Sequence, residues 1–264
     1  MIKNLFGIIL IFSQAIVHPK TFVELSLYKA DSKTYICLNF TIENGWHLYW
    51  LNSGDTGIPT EITWNLPDGI EISDELWPIP KAFEVDGLVS YGYENNASIF
   101  YEIIFKDYSE IHNKDITCKI NSLICKDICI PFDTVITFNL SNLKSRFNQN
   151  ELKDLLNNQF PNKEHSLELF GKIEGDKVLL EIKNNSENET IESFSFFPFE
   201  NGIFKNVLAN EFYKELESYL IKIEFDPFRT HIPEKLEGIL ILFYSENNSR
   251  IKKSFEISVP LKYY

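Results

Sequence analysis

The chain is poor in cysteine, in basic residues and in long apolar runs. Four cysteines among 264 residues are too few for a disulfide-built scaffold, so burial of apolar side chains must carry most of the stability. Lys and Arg number 25 against 38 Asp and Glu, a formal net charge of -13. That balance argues against nucleic acid or an anionic membrane as partner, because phosphate binding needs clustered cations; its plain meaning is solubility. Nowhere is there a run of the ~20 apolar residues that a membrane-spanning helix requires. The apolar run Leu5-Phe-Gly-Ile-Ile-Leu-Ile-Phe12 follows Lys3 and precedes the small-residue site Ser13-Gln-Ala15. This is the layout of a signal peptide over residues 1–15, and the expectation is an exported, soluble, extracytoplasmic protein.

What is abundant is strand patterning. Segments 21–28 and 34–42 alternate apolar and polar residues around a polar turn, a hairpin pattern, and short runs follow at 61–65, 97–105, 116–124 and 134–140. After Leu140 the pattern changes. Asn150 reads as a helix N-cap, Leu152, Leu155 and Leu156 share one helical face, and Pro161 ends the segment. A second strand set then covers 177–182, 219–225, 238–244 and 254–259. The chain exceeds the usual ~100–200 residues of one domain. The expectation is all-β: a first antiparallel sandwich at 17–142, a linker with a short helix at 143–164, and a second, cysteine-free sandwich at 165–264.

All four Trp lie between Trp46 and Trp77, most densely beside the loop Gly54-Asp-Thr-Gly-Ile-Pro59. Rings at this density are read as core filling. His47 is read as a hydrogen-bonded packing residue, since no His-x-His or His-Glu-x-x-His spacing accompanies it, and neither metal nor cofactor is expected.

The chemically pointed feature is Cys125-Lys-Asp-Ile-Cys129-Ile-Pro131. A disulfide needs Cα atoms ~4.4–6.8 Å apart, whereas residues four apart along a strand lie ~13 Å apart, so the chain must turn back through Lys126-Asp127-Ile128. Closing so small a loop contributes only ~2 kcal/mol in the chain-entropy model. Such a bond is a weak staple and a reasonable redox switch. Lys126 and Asp127 offset each other electrostatically, so the sequence does not choose the nucleophile. Cys37 falls on the opposite parity from Ile36, Leu38, Phe40 and Ile42, while Cys118 shares the apolar parity of Ile116 and Ile120. Strands facing one core would then point these two thiols in opposite directions, which argues against a second disulfide between them.

Taken in order, Gly45-Trp-His-Leu-Tyr-Trp50, Gly54-Asp-Thr-Gly-Ile-Pro59, Trp77-Pro-Ile-Pro80, Tyr91-Gly-Tyr93-Glu94 and Cys125-Lys-Asp-Ile-Cys129-Ile-Pro131 resemble the N-terminal periplasmic region of DsbD/ScsB-type thiol:disulfide interchange proteins. Phe196-Phe-Pro198 and the ending Phe255-Glu-Ile-Ser-Val-Pro-Leu261 extend the likeness to the second half. The resemblance implies two immunoglobulin-like sandwiches and a disulfide-reductase type of thiol:disulfide oxidoreductase with Cys125 and Cys129 as the catalytic pair. Tyr91 and Tyr93 are then candidates for a cap or docking loop. It further implies a thioredoxin-like periplasmic partner and a place in disulfide isomerisation or cytochrome c biogenesis. The sequence shows no Trp-Cys-x-x-Cys and no hydrophobic span, so the expectation includes a membrane thiol reductase acting in trans. Two other classes stand beside this one: a binding module in which the pair staples a turn, and copper(I) held by the two thiolates.

Overall fold

The computed structural model describes residues 15–30, 32–106, 114–143, 145–146, 149–163, 165–183, 190–208, 210–215, 218–246 and 249–263. The expected signal peptide lies outside them, except that Ala15 opens the first strand.

Strands β1 (Ala15–His18), β2 (Thr21–Ala30), β3 (Lys33–Ile42), β4 (His47–Gly54), β5 (Glu61–Asn65) and β6 (Ile70–Ile72) are followed by β7 (Lys81–Val85), β8 (Leu88–Glu94) and β9 (Asn96–Phe105). Then come β10 (Asp115–Cys125), β11 (Cys129–Asn139) and the short β12 (Ser145–Arg146). They form two sheets. One runs β1-β2-β3-β9-β6 with β12 beside β2, the other β11-β10-β4-β8-β7 with β5 on β10. Alternation along each strand sends Ile36, Leu38 and Phe40 of β3, Leu48 and Trp50 of β4, and Ile116, Cys118, Ile120 and Ile124 of β10 into the space between the sheets. Trp46, Trp50 and Trp77 are buried in this core and Trp64 packs against it.

Helix α1 (Gln149–Gln159) occupies the linker and begins one residue before Asn150, which therefore sits in its first turn rather than capping it. Leu152 is buried with Tyr28, Tyr35, Cys37, Phe100 and Phe160, while Leu155 and Leu156 pack alongside. The helix thus covers the outer face of the first sheet, so β3 is buried on both sides.

The second half contains β13 (Leu169–Glu174), β14 (Lys177–Lys183), β15 (Thr190–Pro198), β16 (Glu211–Lys214), β17 (Ser218–Glu224), β18 (Lys235–Glu246) and β19 (Ser249–Tyr263). Their order is β15-β18-β19-β13-β14-β17-β16. Strand β19 pairs antiparallel with β18 and then parallel with β13, carrying the chain from one layer to the other around the second core. The architecture is all-β: two immunoglobulin-like antiparallel sandwiches joined by a short, partly helical linker. The parallel β2–β12 and β13–β19 pairs are departures from strictly antiparallel pairing.

The two halves share apolar contacts. Phe194, Phe196, Leu240 and Leu242 face the second core, whereas Phe197, Ile239 and Ile241, one residue out of phase, pack into the first. Burial on both faces explains the unbroken apolar run Ile239-Leu-Ile-Leu-Phe243. Phe197 meets Trp50 at 6.3 Å and Tyr91 at 5.2 Å, both edge to face. Beside them the fully buried Asn52 donates to the Pro198 carbonyl at 2.8 Å. Replacing Phe197 with Ala should cost about 3–5 kcal/mol of unfolding free energy, measured by urea denaturation, because a ring is lost from a core that it enters from outside.

Candidate functional site

The antiparallel register of β10 and β11 runs from Asp115 opposite Asn139 to Cys125 opposite Cys129. Lys126, Asp127 and Ile128 turn the chain, with the Lys126 amide donating to the Ile128 carbonyl at 3.0 Å. Cys125 and Cys129 are disulfide-bonded with Cα atoms 4.1 Å apart, so the expected fold-back is a three-residue hairpin turn. Ile124 and Ile130 face the core one step before the pair, which places both cysteines on the outer face.

The two sulfurs have different surroundings. Cys125 is 1% exposed although it lies on the outer face, whereas Cys129 is exposed. Cys125 is covered because β4 continues the sheet beyond it, with His47 directly opposite and Leu48 opposite Ile124. Cys129 belongs to β11, the edge strand. Next to it Ile128 is 65% exposed, an apolar side chain beside the reachable sulfur.

On the outer face near Cys125, the His47 ring stacks on Phe83 of β7 at 5.3 Å and meets Tyr49 edge-on at 5.0 Å. Tyr49 is buried in turn because the 54–59 loop folds over it. A Cβ at Gly57, whose φ is +73, would fall 2.2 Å from the Tyr49 ring, so glycine is required there. The Asp55 carboxylate anchors this loop by accepting from the Val89 amide at 2.7 Å. Burial pushes the His47 imidazole below its ordinary value, with Glu94 opposing. Its Nε2 is enclosed and makes no hydrogen bond, so the hydrogen-bonded packing role expected for His47 is corrected to packing without that bond.

Tyr91 and Tyr93 lie elsewhere. Tyr93 sits opposite Leu48 on the inward parity, stacks on Trp77 at 6.2 Å and donates to the Pro78 carbonyl at 2.7 Å. Tyr91 is 1% exposed against Trp50 and Phe197. Burial raises both hydroxyl groups far above the ordinary tyrosine value. These tyrosines face away from the disulfide, and the aromatic side chains on its face are Tyr49 and Phe83, packed around His47. Gly92 between them allows the close approach of β8 to β4, since a Cβ there would lie 2.2 Å from the Leu48 carbonyl oxygen. A cleft of about 830 Å³ between the linker and β19 includes neither cysteine.

Cys37 and Cys118 stand outside any disulfide, on opposite sides of the first half: Cys37 under α1 and Cys118 in the main core. Cys37 donates to the Asn39 side-chain oxygen at 3.3 Å. Burial pushes the Cys118 thiol up to about 12.

The first half is thus an immunoglobulin-like sandwich with a hairpin disulfide, in which Cys129 is exposed and Cys125 covered. Residues 13–141 match the family described as "Thiol:disulfide interchange protein DsbD, N-terminal", and that segment belongs to the family. The N-terminal periplasmic domain of ScsB from Proteus mirabilis shares the fold, with a TM-score of 0.64 at 15% identity over 94% of this chain and 98% of that one. A protein of unknown function from Porphyromonas gingivalis W83 aligns at a TM-score of 0.23 and 10% identity over 90% and 99% of the two chains, too low to support any likeness. No curated protein matches the sequence.

After mild reduction, iodoacetamide followed by mass spectrometry should label Cys129 first and Cys125 more slowly. Cys118 should resist until the protein unfolds, because a thiol pushed up to about 12 is only about one part in ten thousand thiolate at pH 8.

Proposed function

We propose that the protein is a periplasmic thiol:disulfide exchange protein. It passes reducing equivalents through Cys125 and Cys129 from a membrane thiol reductase acting in trans to thioredoxin-like partners. The observation that carries this reading is the pairing of an exposed Cys129 with a covered Cys125 in a hairpin of the DsbD N-terminal family. A small loop at a sheet edge is a weak structural staple, whereas an accessible sulfur is what exchange chemistry requires. The family match and the periplasmic origin of the ScsB relative support both the compartment and the partner class.

In the reduced protein Cys129 is the nucleophile. Its thiolate attacks the partner's disulfide and forms a mixed disulfide, the partner's second sulfur leaving as thiolate. Cys125 then attacks Cys129, restoring the Cys125–Cys129 bond and releasing the partner fully reduced. Ile128 provides an apolar contact beside the attacking sulfur. The division of the chain belongs to the same proposal: redox chemistry in 17–142, a linker at 143–164, and a second sandwich at 165–264 that braces the first.

Cys125→Ser, expressed in the periplasm with the membrane reductase present, should accumulate a covalent adduct on Cys129 that is visible on non-reducing gels and cleaved by dithiothreitol. Cys129→Ser should accumulate none. If neither variant traps a partner and the reduced wild type reduces no thioredoxin-like protein, the reading gives way to a disulfide-stapled binding module. Equilibration with glutathione buffers should place the potential of the pair above the ~ -300 mV below which structural disulfides usually lie.

A further inference from the structure

Resolution of the mixed disulfide demands something that the structure makes difficult. Cys125 must act as a thiolate, yet it is 1% exposed, and burial disfavours the charged form of a thiol. Directly opposite it on β4 stands His47, and opposed residues of an antiparallel pair leave the same face with Cβ atoms ~4.5–5.5 Å apart. The imidazole is held in place by Phe83 and Tyr49. Its Nε2 is enclosed and has no hydrogen-bond partner, a cost that folded proteins tend to keep where a group has chemistry to perform.

We infer that His47 is the general base for Cys125, an inference that rests on the exchange reading above. In the mixed disulfide the neutral imidazole takes the proton of the Cys125 S–H as that sulfur attacks Cys129. The Cys125–Cys129 bond forms, the bond from Cys129 to the partner's sulfur breaks, and its electron pair leaves on the partner's thiolate, which is protonated by water. The dithiol has then lost two electrons to the partner's disulfide. In the reverse direction, imidazolium returns its proton to Cys125 when a partner thiolate opens the disulfide at Cys129.

Glu94 lies opposite His47 on β8 and is ion-paired with Lys81 of β7 at 3.3 Å. Lys126 folds over Gly45, and Asp127 follows it in the turn. Burial outweighs Glu94 and holds the imidazole below its ordinary value, so the base form predominates at neutral pH.

The test uses the reduced full chain and 5,5′-dithiobis(2-nitrobenzoate), and no protein partner. Attack by Cys129 releases one thionitrobenzoate and leaves the other on Cys129; Cys125 releases the second, and stopped-flow absorbance follows both phases. In the wild type the second phase should level off above the imidazole's titration and slow in D₂O. His47→Phe, which can keep the stack on Phe83, and His47→Gln should leave the first phase unchanged. Both should slow the second by about 10²–10⁴ near pH 7 and make it rise tenfold per pH unit. Folded variants that resolve at the wild-type rate and pH profile would overturn the inference. Should neither variant fold, the wild type decides alone: a second phase rising tenfold per pH unit throughout, without an isotope effect, overturns it. Rapid His47-dependent resolution in a protein that reduces no thioredoxin-like partner would keep the base and remove the proposed function. Partner reduction with unimpaired His47 variants would do the reverse.

Discussion

Strand β10 is paired with β11 along one edge and with β5 and β4 along the other, and the position of the disulfide follows from those ladders. Side chains alternate with a period of two, so a slip of one residue would turn Cys125 into the core and bring Ile124 to the surface. The slip is prevented by Ile116, Cys118, Ile120 and Ile124, all nearly inaccessible to solvent, which would have to leave the core together. Apolar burial thus holds two cysteines opposite each other without relying on the bond between them. A pair placed in this way can be opened and closed while the sandwich stays intact.

Strand β4 connects the two regions of interest. Its first residue, His47, faces Cys125, whereas Trp50 and Asn52 further along meet Phe197 and Pro198 of the second sandwich. Through these contacts the second half completes one end of the first core. The Asp55 carboxylate accepts from Val89 on one side and from the Asn206 side chain at 2.8 Å on the other, tying the 54–59 loop to both halves.

The chemistry divides along the sheet edge. Cys129 lies on the edge strand and is open to a partner, while Cys125 is one strand further in, where a continuing neighbour covers it. Edge position gives access, and interior position gives a buried cysteine with His47 opposite it across the strand pair. Cys118 shows what burial does without such an arrangement: its thiol is pushed up to about 12 and takes no part in a disulfide.

Much of this was legible in the chain itself. Period-two alternation marked the strands at 21–28, 34–42, 116–124 and 238–244, Leu152, Leu155 and Leu156 marked the linker helix, and parity alone separated Cys37 from Cys118. The fold-back at Lys126-Asp127-Ile128 followed from the spacing of the cysteines, because a straight strand cannot bring them together. Tyr91 and Tyr93 were candidates for a cap because the resembling family places one over its cysteines in that Gly-containing segment, whereas their inward parity depends on pairing with β4. His47 and Phe83 could not be connected with Cys125 at all, being 78 and 42 residues away along the chain. Local sequence determined which segments are strands, which face of each is apolar and that the cysteine pair is hairpin-closed. The tertiary structure alone decided which sulfur is covered and which side chain stands beside it, because cross-strand register is set by the joint burial of many distant residues and not by any one segment.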